Sequence, residues 1–276
     1  MIDGQCLDSK AGYLGSELPL NANLGSAYMS LAQTFHDARV AGLAVQVAPS
    51  DFPADEAAVV AMQEEVMRIG GLTAGGWKAG PAPAGMQDTG CAPLAAQWTV
   101  QSGATLKAPG APLLVESEFV LRFGKDVTPA EAPFTADTIA PYIDALAPGI
   151  ELVWRRCANP GSDQTGLLFQ ADANGHAGMV LGAWRTDWQT FNLAAYPLVQ
   201  YVNGAEHARG DSGRTMNGHP LHVAAALANR QARLGHTIHV GTWVTTGSCT
   251  GALEISPGDQ VRTEYGELGT IEVTIS

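Results

Sequence analysis

The chain has 276 residues, 46% of them hydrophobic and 15% charged, with 27 acidic against 15 basic side chains and a formal net charge of -12. The composition excludes a disordered chain, and an acidic balance without a Lys/Arg cluster excludes tracking of a nucleic-acid backbone. No run approaches the roughly 20 apolar residues of a membrane helix, and the opening MIDGQCLDSKAG shows no charged-then-apolar leader, so no membrane partner is expected and a cytoplasmic protein is the simplest reading.

From Ala27 to about Gly42, Tyr28, Leu31, Phe35 and Ala38 recur at three- and four-residue steps and predict an amphipathic helix closed by a glycine. A second helix is expected after Pro53, with Asp55 and Glu56 at its positive end, Val59, Met62, Val66 and Ile69 as its stripe, and Gly70-Gly71 as its stop. The first third is thus expected to be helical, and GGWKAGPAPAGMQDTG, rich in Gly and Pro, reads as loop or linker. After about residue 106 the texture changes to short β-rich runs: VESEFVLRF, GIELVWR, HAGMVLGAW, LVQYVNG, HVGTWVTTGS, DQVRTEYG and TIEVTIS. TPAEAPFTADTIAPYIDAL also reads as helical, with Pro141 removing a bond from its interior. A clear helix, opened by Pro220 and closed by Gly235, carries Arg230 and Arg233 near its negative end. Mixed strands with few helices indicate an α+β protein, divided here into a segment 1-105 and a larger domain 106-276.

Alternation in LLVESEFVLRF puts Glu116 and Glu118 side by side on one strand face, and GIELVWRR sets Glu151 in a second apolar run. Two readings stand: solvated edge strands, or a shared divalent cation such as Mg2+ or Mn2+, which prefers oxygen ligands and cancels their repulsion. Lys78 in GGWKAG sits between glycines, where a backbone can approach a ligand, or is simply a solvated charge. The four cysteines, Cys6, Cys91, Cys157 and Cys249, form no CxxC pair and read as free thiols. The seven histidines form no HExxH or paired-His pattern and read as cap, surface or satisfied core residues.

ESEFVLRFGKD followed by PGIELVWRR resembles the paired-then-single glutamate signature of the fumarylacetoacetate hydrolase superfamily, in its 2-keto-4-pentenoate hydratase and 4-oxalocrotonate decarboxylase branch. DEAAVVAMQEEVMRIGGLTAGGWKAG, DANGHAGMVLGAW, GHPLHVAAALANRQARLG and WVTTGSCTGALEISPGDQVRTEYGELGTIEVTIS extend the likeness over most of the chain in matching order. The resemblance implies a mixed β-roll with a small N-terminal helical segment bearing the lysine loop. It also implies Mg2+ or Mn2+ on Glu116, Glu118 and Glu151, and a 2-oxo acid chelating that metal.

In the hydrolase branch the third ligand is usually Asp, so Glu151 points to the hydratase/decarboxylase side. By the same resemblance Lys78 matches the active-site lysine. Asp172 matches the aspartate of an Asp-Asn motif and is expected to orient Lys78 or a ligand water, although an Asx turn capping a strand explains it about as well and Ala173 displaces the Asn. Ser248, in the loop Thr246-Gly247-Ser248, offers a hydroxyl to the distal end of a substrate, or is only a turn residue. Hydratases of the branch commonly carry an acid after a proline beyond the lysine; here Leu94 follows Pro93, which removes a proton-transfer group.

The implied activity is hydration of a 2-hydroxydienoate or 2-oxo-alkenoate through a metal-stabilised enolate. Alternatives are decarboxylation of an oxalocrotonate-like acid, hydrolysis of an acylpyruvate, or a weakly active partner subunit. A homo-oligomer, or a complex with a related enzyme, is the expected assembly.

Overall fold

The computed structural model describes residues 26–83, 85–157 and 166–276. Cys6 lies outside them, and the side chain of Tyr28 is likewise outside the described set. Helix α1 (Ser26–Ala41) buries Leu31, Phe35 and Ala38, the stripe expected of it. Helix α2 (Glu56–Ile69) starts one residue later than its acidic pair suggests, because the Asp55 carboxylate accepts the Ala58 amide and serves as the cap. Val59 and Met62 of α2 join Leu31 and Phe35 of α1, with Leu168 and Ala171, in a small apolar cluster.

Beyond α2 the expectation of a helical first third ending in a loop is corrected. GGWKAGP lies within strand β1 (Ala74–Pro81), which pairs antiparallel with β2 (Thr89–Ala95). Glycine-rich segments are poor strand formers in isolation. This one is recruited by its neighbours, since a side chain at Gly76 would enter the Trp243 ring at 2.2 Å. Short strands β3 (Thr99–Gln101) and β4 (Ala104–Leu106) follow, then the long β5 (Leu113–Phe123).

The segment read as one helix from residue 128 is instead a set of short turns around α3 (Ala136–Ile139). Pro141 lies in a 3-10 turn, and the chain is extended again from Ile143 in β6 (Ile143–Trp154). The remaining elements are α4 (Leu167–Ala171), β7 (His176–Leu181), β8 (Pro197–Val202), β9 (Ala205–Asp211), α5 (Pro220–Arg233), β10 (Trp243–Thr245), β11 (Leu253–Ile255), β12 (Gln260–Glu264) and β13 (Thr270–Ile275).

Among the described residues the strands form two sheets. The larger runs β2-β1-β10-β5-β6-β7-β3, with β11 added to β5; the smaller runs β4-β13-β12-β8-β9. Strands from before residue 106 therefore belong to both sheets. The main core lies between the sheets and beneath α5: Phe119, Leu121 and Ile150 from the larger, Val261, Ile271 and Val273 from the smaller, and Val223, Ala224 and Leu227 from α5.

Helix α5 begins as expected with Pro220 in its first turn. Its terminal Arg230 and Arg233 both reach Glu56 of α2, at 2.8 and 3.0 Å, which ties the helical segment to the sheet. The result is an α+β protein of curled mixed sheets with few helices. Cys91, Cys157 and Cys249 are all buried. Among the described residues no helix is long and apolar enough to cross a membrane.

Candidate metal centre

Strand β5 lies inside the larger sheet, between β10 and β6, so the solvated-edge reading of its glutamates does not hold. Antiparallel pairing sets Glu116 directly opposite Glu151, and Glu118 opposite Gly149. Residues directly opposite on neighbouring strands bring their side chains together on one face. One carboxylate oxygen from each of Glu116, Glu118 and Glu151 thus falls within 4.8 Å of the others. Gly149, opposite Glu118, must be glycine, because Met179 Cε and Val120 Cγ2 pack over it and a β-carbon there would meet them at 2.4 and 2.7 Å. From the main core, the Tyr265 hydroxyl shares its proton between the carbonyls of Gly149 (2.6 Å) and Glu118 (3.0 Å), which pins the two strands together behind the carboxylates.

The lysine arrives from the other direction. Strand β1 pairs parallel with β10, Lys78 beside Thr245, and this carries the Lys78 ammonium to 2.8 Å from Glu151 Oε1. On the same oxygen, at 2.9 Å, stands Nδ1 of His176, a residue that sequence reasoning assigned no chemistry. Thr245 donates its hydroxyl to Glu118 Oε2, and the Gly247 amide reaches that oxygen at 2.8 Å. Gly247 has φ +96°, a left-handed conformation natural to glycine, and this turns its N–H toward the carboxylate. Ser248 follows, half-buried, its hydroxyl without a partner among the described residues.

Asp172 is not brought to Lys78. It caps α4, is buried, and accepts Arg156 Nε at 2.6 Å. Arg156 in turn donates to the His176 carbonyl at 3.0 Å, so Asp172 touches the centre only through a guanidinium and the backbone. Leu94 is fully buried among Val120, Ala147, Met179, Leu181 and Trp243. Its pairing with Gly76, two residues from Lys78, puts this apolar wall on the carboxylate side of the sheet.

Three carboxylates and one ammonium, all of them nearly or half buried, would leave two negative charges uncompensated if all were ionised. Burial first, and the neighbouring carboxylates with it, drives the pKa of Glu116 up from 4.5 to about 7 and that of Glu118 up to about 8, against the opposing pull of Lys78. Burial pulls Lys78 the other way, but the charges of Glu151, Glu116 and Glu118 outweigh it and raise its pKa, so Lys78 stays protonated. His176 is wholly buried, and burial together with Lys78, Arg39 and Arg156 pushes its pKa well below 6.5, which keeps the ring neutral.

A dication fits this donor set: the ligands are all oxygen, the unbalanced charge of the ionised groups is twofold, and Glu151 Oε2 is buried without a partner among the described residues. Thr245, Gly247 and His176 escaped the sequence reading. The TTGS run marked the loop that carries the first two, but nothing local marked the histidine.

Known proteins share stretches of this sequence and its fold. The model for the fumarylacetoacetate (FAA) hydrolase C-terminal region matches residues 92–276. A 4-oxalocrotonate decarboxylase of Pseudomonas putida is 30% identical over 135 residues, 49% of this chain and 50% of that protein. A 2-keto-4-pentenoate hydratase of Burkholderia vietnamiensis is 30% identical over 162 residues, 59% of this chain and 60% of that protein. The match with the first of these curated relatives thus spans about half of that protein's length. Among solved structures, a 4-oxalocrotonate decarboxylase from Pseudomonas putida G7, complexed with magnesium and adipate, superposes with a TM-score of 0.81 at 22% identity. That superposition covers 90% of this chain and 97% of the other, and speaks to the fold. With the family model running from β2 to the last residue, well over half of its length, the chain belongs to the fumarylacetoacetate hydrolase family.

Proposed function

We propose that the protein is a divalent-metal-dependent lyase acting on a 2-oxo acid or its 2-hydroxydienoate form, with addition of water as the first reading. The observation that carries this is the convergence of Glu116, Glu118 and Glu151 within 4.8 Å, with Lys78 bonded to one of them. Mg2+ or Mn2+ held by these three residues would supply Lewis-acid polarisation of a 2-oxo carboxylate and favour its enolate.

The protein's own groups divide the remaining work. Lys78, protonated at neutral pH, is the proton donor to the substrate's carbon chain or the partner of its carboxylate. Thr245 and the Gly247 amide orient Glu118. Ser248, its hydroxyl uncommitted beside Gly247, takes the distal end of the substrate. Asp172 acts by holding Arg156, not by touching substrate.

A second reading, decarboxylation of an oxalocrotonate-like acid, is favoured by Leu94. The apolar wall it joins offers no second acid for adding water, and an apolar surrounding favours a step that discharges a carboxylate. The named relatives include both activities.

The test is turnover by the purified chain with Mg2+ or Mn2+. Hydration predicts loss of the dienol absorbance of 2-hydroxypenta-2,4-dienoate with oxygen incorporated from water; decarboxylation predicts CO2 from the oxalocrotonate-like acid. Acylpyruvate hydrolysis would release two carboxylic fragments, and activity restored only on mixing with an active homologue would indicate a partner subunit. Absence of all four, with Mn2+ affinity unaltered in Glu118→Gln, overturns the reading.

A further inference from the structure

Strands β6 and β7 pair Glu151 with Met179 and Leu152 with Gly178, but the next pair is Val153 with His176. One extra residue, Ala177, has been inserted on β7. In an unbroken strand a residue three positions from Met179 faces the opposite side of the sheet. The inserted residue reverses that parity, as bulges do when they re-aim a side chain. His176 is thereby turned to the Glu151 side, where its Nδ1 lies 2.9 Å from Oε1.

Two guanidinium groups hold the bulge. Arg39 of α1 donates to the carbonyls of His176 and Ala177 at 2.8 and 2.5 Å, and Arg156 donates to the His176 carbonyl at 3.0 Å. The chain enters β7 through Ala173, Asn174 and Gly175 at φ 51°, 53° and 71°. Left-handed backbone is costly for an ordinary residue and persists where surrounding contacts over-determine it.

Glu151 Oε1 therefore receives two donors, Lys78 and His176, while Oε2 is buried without any among the described residues. An ionised carboxylate only accepts, so Nδ1 carries the hydrogen of that bond. We propose that His176 is a positioning residue of the metal centre, occupying with Lys78 one oxygen of Glu151 and so presenting the other, Oε2, to the cation. The inference rests on the metal reading above and adds to it which oxygen ligates and what fixes it.

The test uses Mn2+ as probe, titrated by calorimetry into the unaltered chain and three variants. In His176→Asn the side-chain amide nitrogen stands near the former Nδ1; in His176→Gln it stands near the former Nε2; His176→Leu has neither. Circular dichroism and the metal-free unfolding midpoint establish which variants are folded. The Gln and Leu variants are expected to bind Mn2+ about 10- to 100-fold more weakly, the range typical for groups that orient a ligand, and the Asn variant to stay within a few-fold of the unaltered chain. The Asn–Gln comparison decides the matter even where the Leu variant does not fold. Equal affinities for Asn and Gln, or a Gln variant as tight as the unaltered chain, overturn the role of His176 and leave the metal reading standing. No Mn2+ binding by the unaltered chain overturns both.

Discussion

Replacing Glu118 by Gln gives the most direct measure of charge crowding at the centre. In the metal-free protein the Glu118 pKa is raised from 4.5 to about 8, by burial first and the Glu151 charge second. A carboxyl that holds its proton more tightly folded than unfolded makes the native state the greater proton binder between those two values. Stability therefore falls as pH rises through that window. Across pH 7 to 8.5 the native Glu118 is still ionising while its unfolded counterpart has long done so, which corresponds to a loss of about 1 kcal/mol, with a few tenths more from Glu116 at about 7.

The raised pKa of Lys78 adds no slope here, because that lysine stays charged in both states. His176, His219 and His236, all depressed below 6.5, contribute stability that rises on going up through 6.5 and is nearly complete by pH 7. Urea unfolding in the presence of a chelator, at pH 7.0 and 8.5, should show the unaltered chain losing about 1–1.5 kcal/mol more than Glu118→Gln. Saturating Mg2+ should remove the difference in slope and stabilise only the unaltered chain, by roughly 2.7 kcal/mol at a hundred times its Kd. Parallel pH profiles for the two proteins would refute the idea that Glu118 is buried against unbalanced negative charge.

Lys78→Met should lower kcat by on the order of 100-fold or more, while Mn2+ affinity measured by titration holds or rises, because a positive charge competing for Glu151 is gone. Asp172→Ala leaves the buried Arg156 guanidinium short of its carboxylate and should cost about 3 kcal/mol, read as a shift of the urea midpoint. Gly76→Ala drives a methyl group into the Trp243 ring, 2.2 Å from the new carbon, and should destabilise by about 1–3 kcal/mol in thermal unfolding.

The residues differ in how far the sequence alone could reveal them, and the reasons are physical. Glu116 and Glu118 were legible because strand alternation is strict along β5, and Glu151 because it interrupts an apolar run. The ends of α2 and α5 were legible from local chemistry, a capping aspartate and a first-turn proline. Strand β1 was not, because three glycines around Trp77 and Lys78 argue for a loop, and only Trp243, far along the chain, explains why one of them must be glycine. His176 was hidden by parity: counted back from Met179 it belongs on the opposite side, and only the pairing with β6 reveals the inserted Ala177. The partner of Asp172 was not legible, because Arg156, which bonds it, lies just beyond the end of β6 and nothing local ties the two together.

Lys78 and Glu151 meet across 73 residues of chain, and Thr245 and Glu118 across 127. Chain closures of that length come late in folding, after local turns and neighbouring strands have formed. The three carboxylates, by contrast, stand on the adjacent strands β5 and β6, so the cation's ligands come together over a short span of chain and their counter-charge is added from afar. A fragment cut to the family-matched region, residues 92–276, would keep all three carboxylates yet lose the strand that brings their counter-charge.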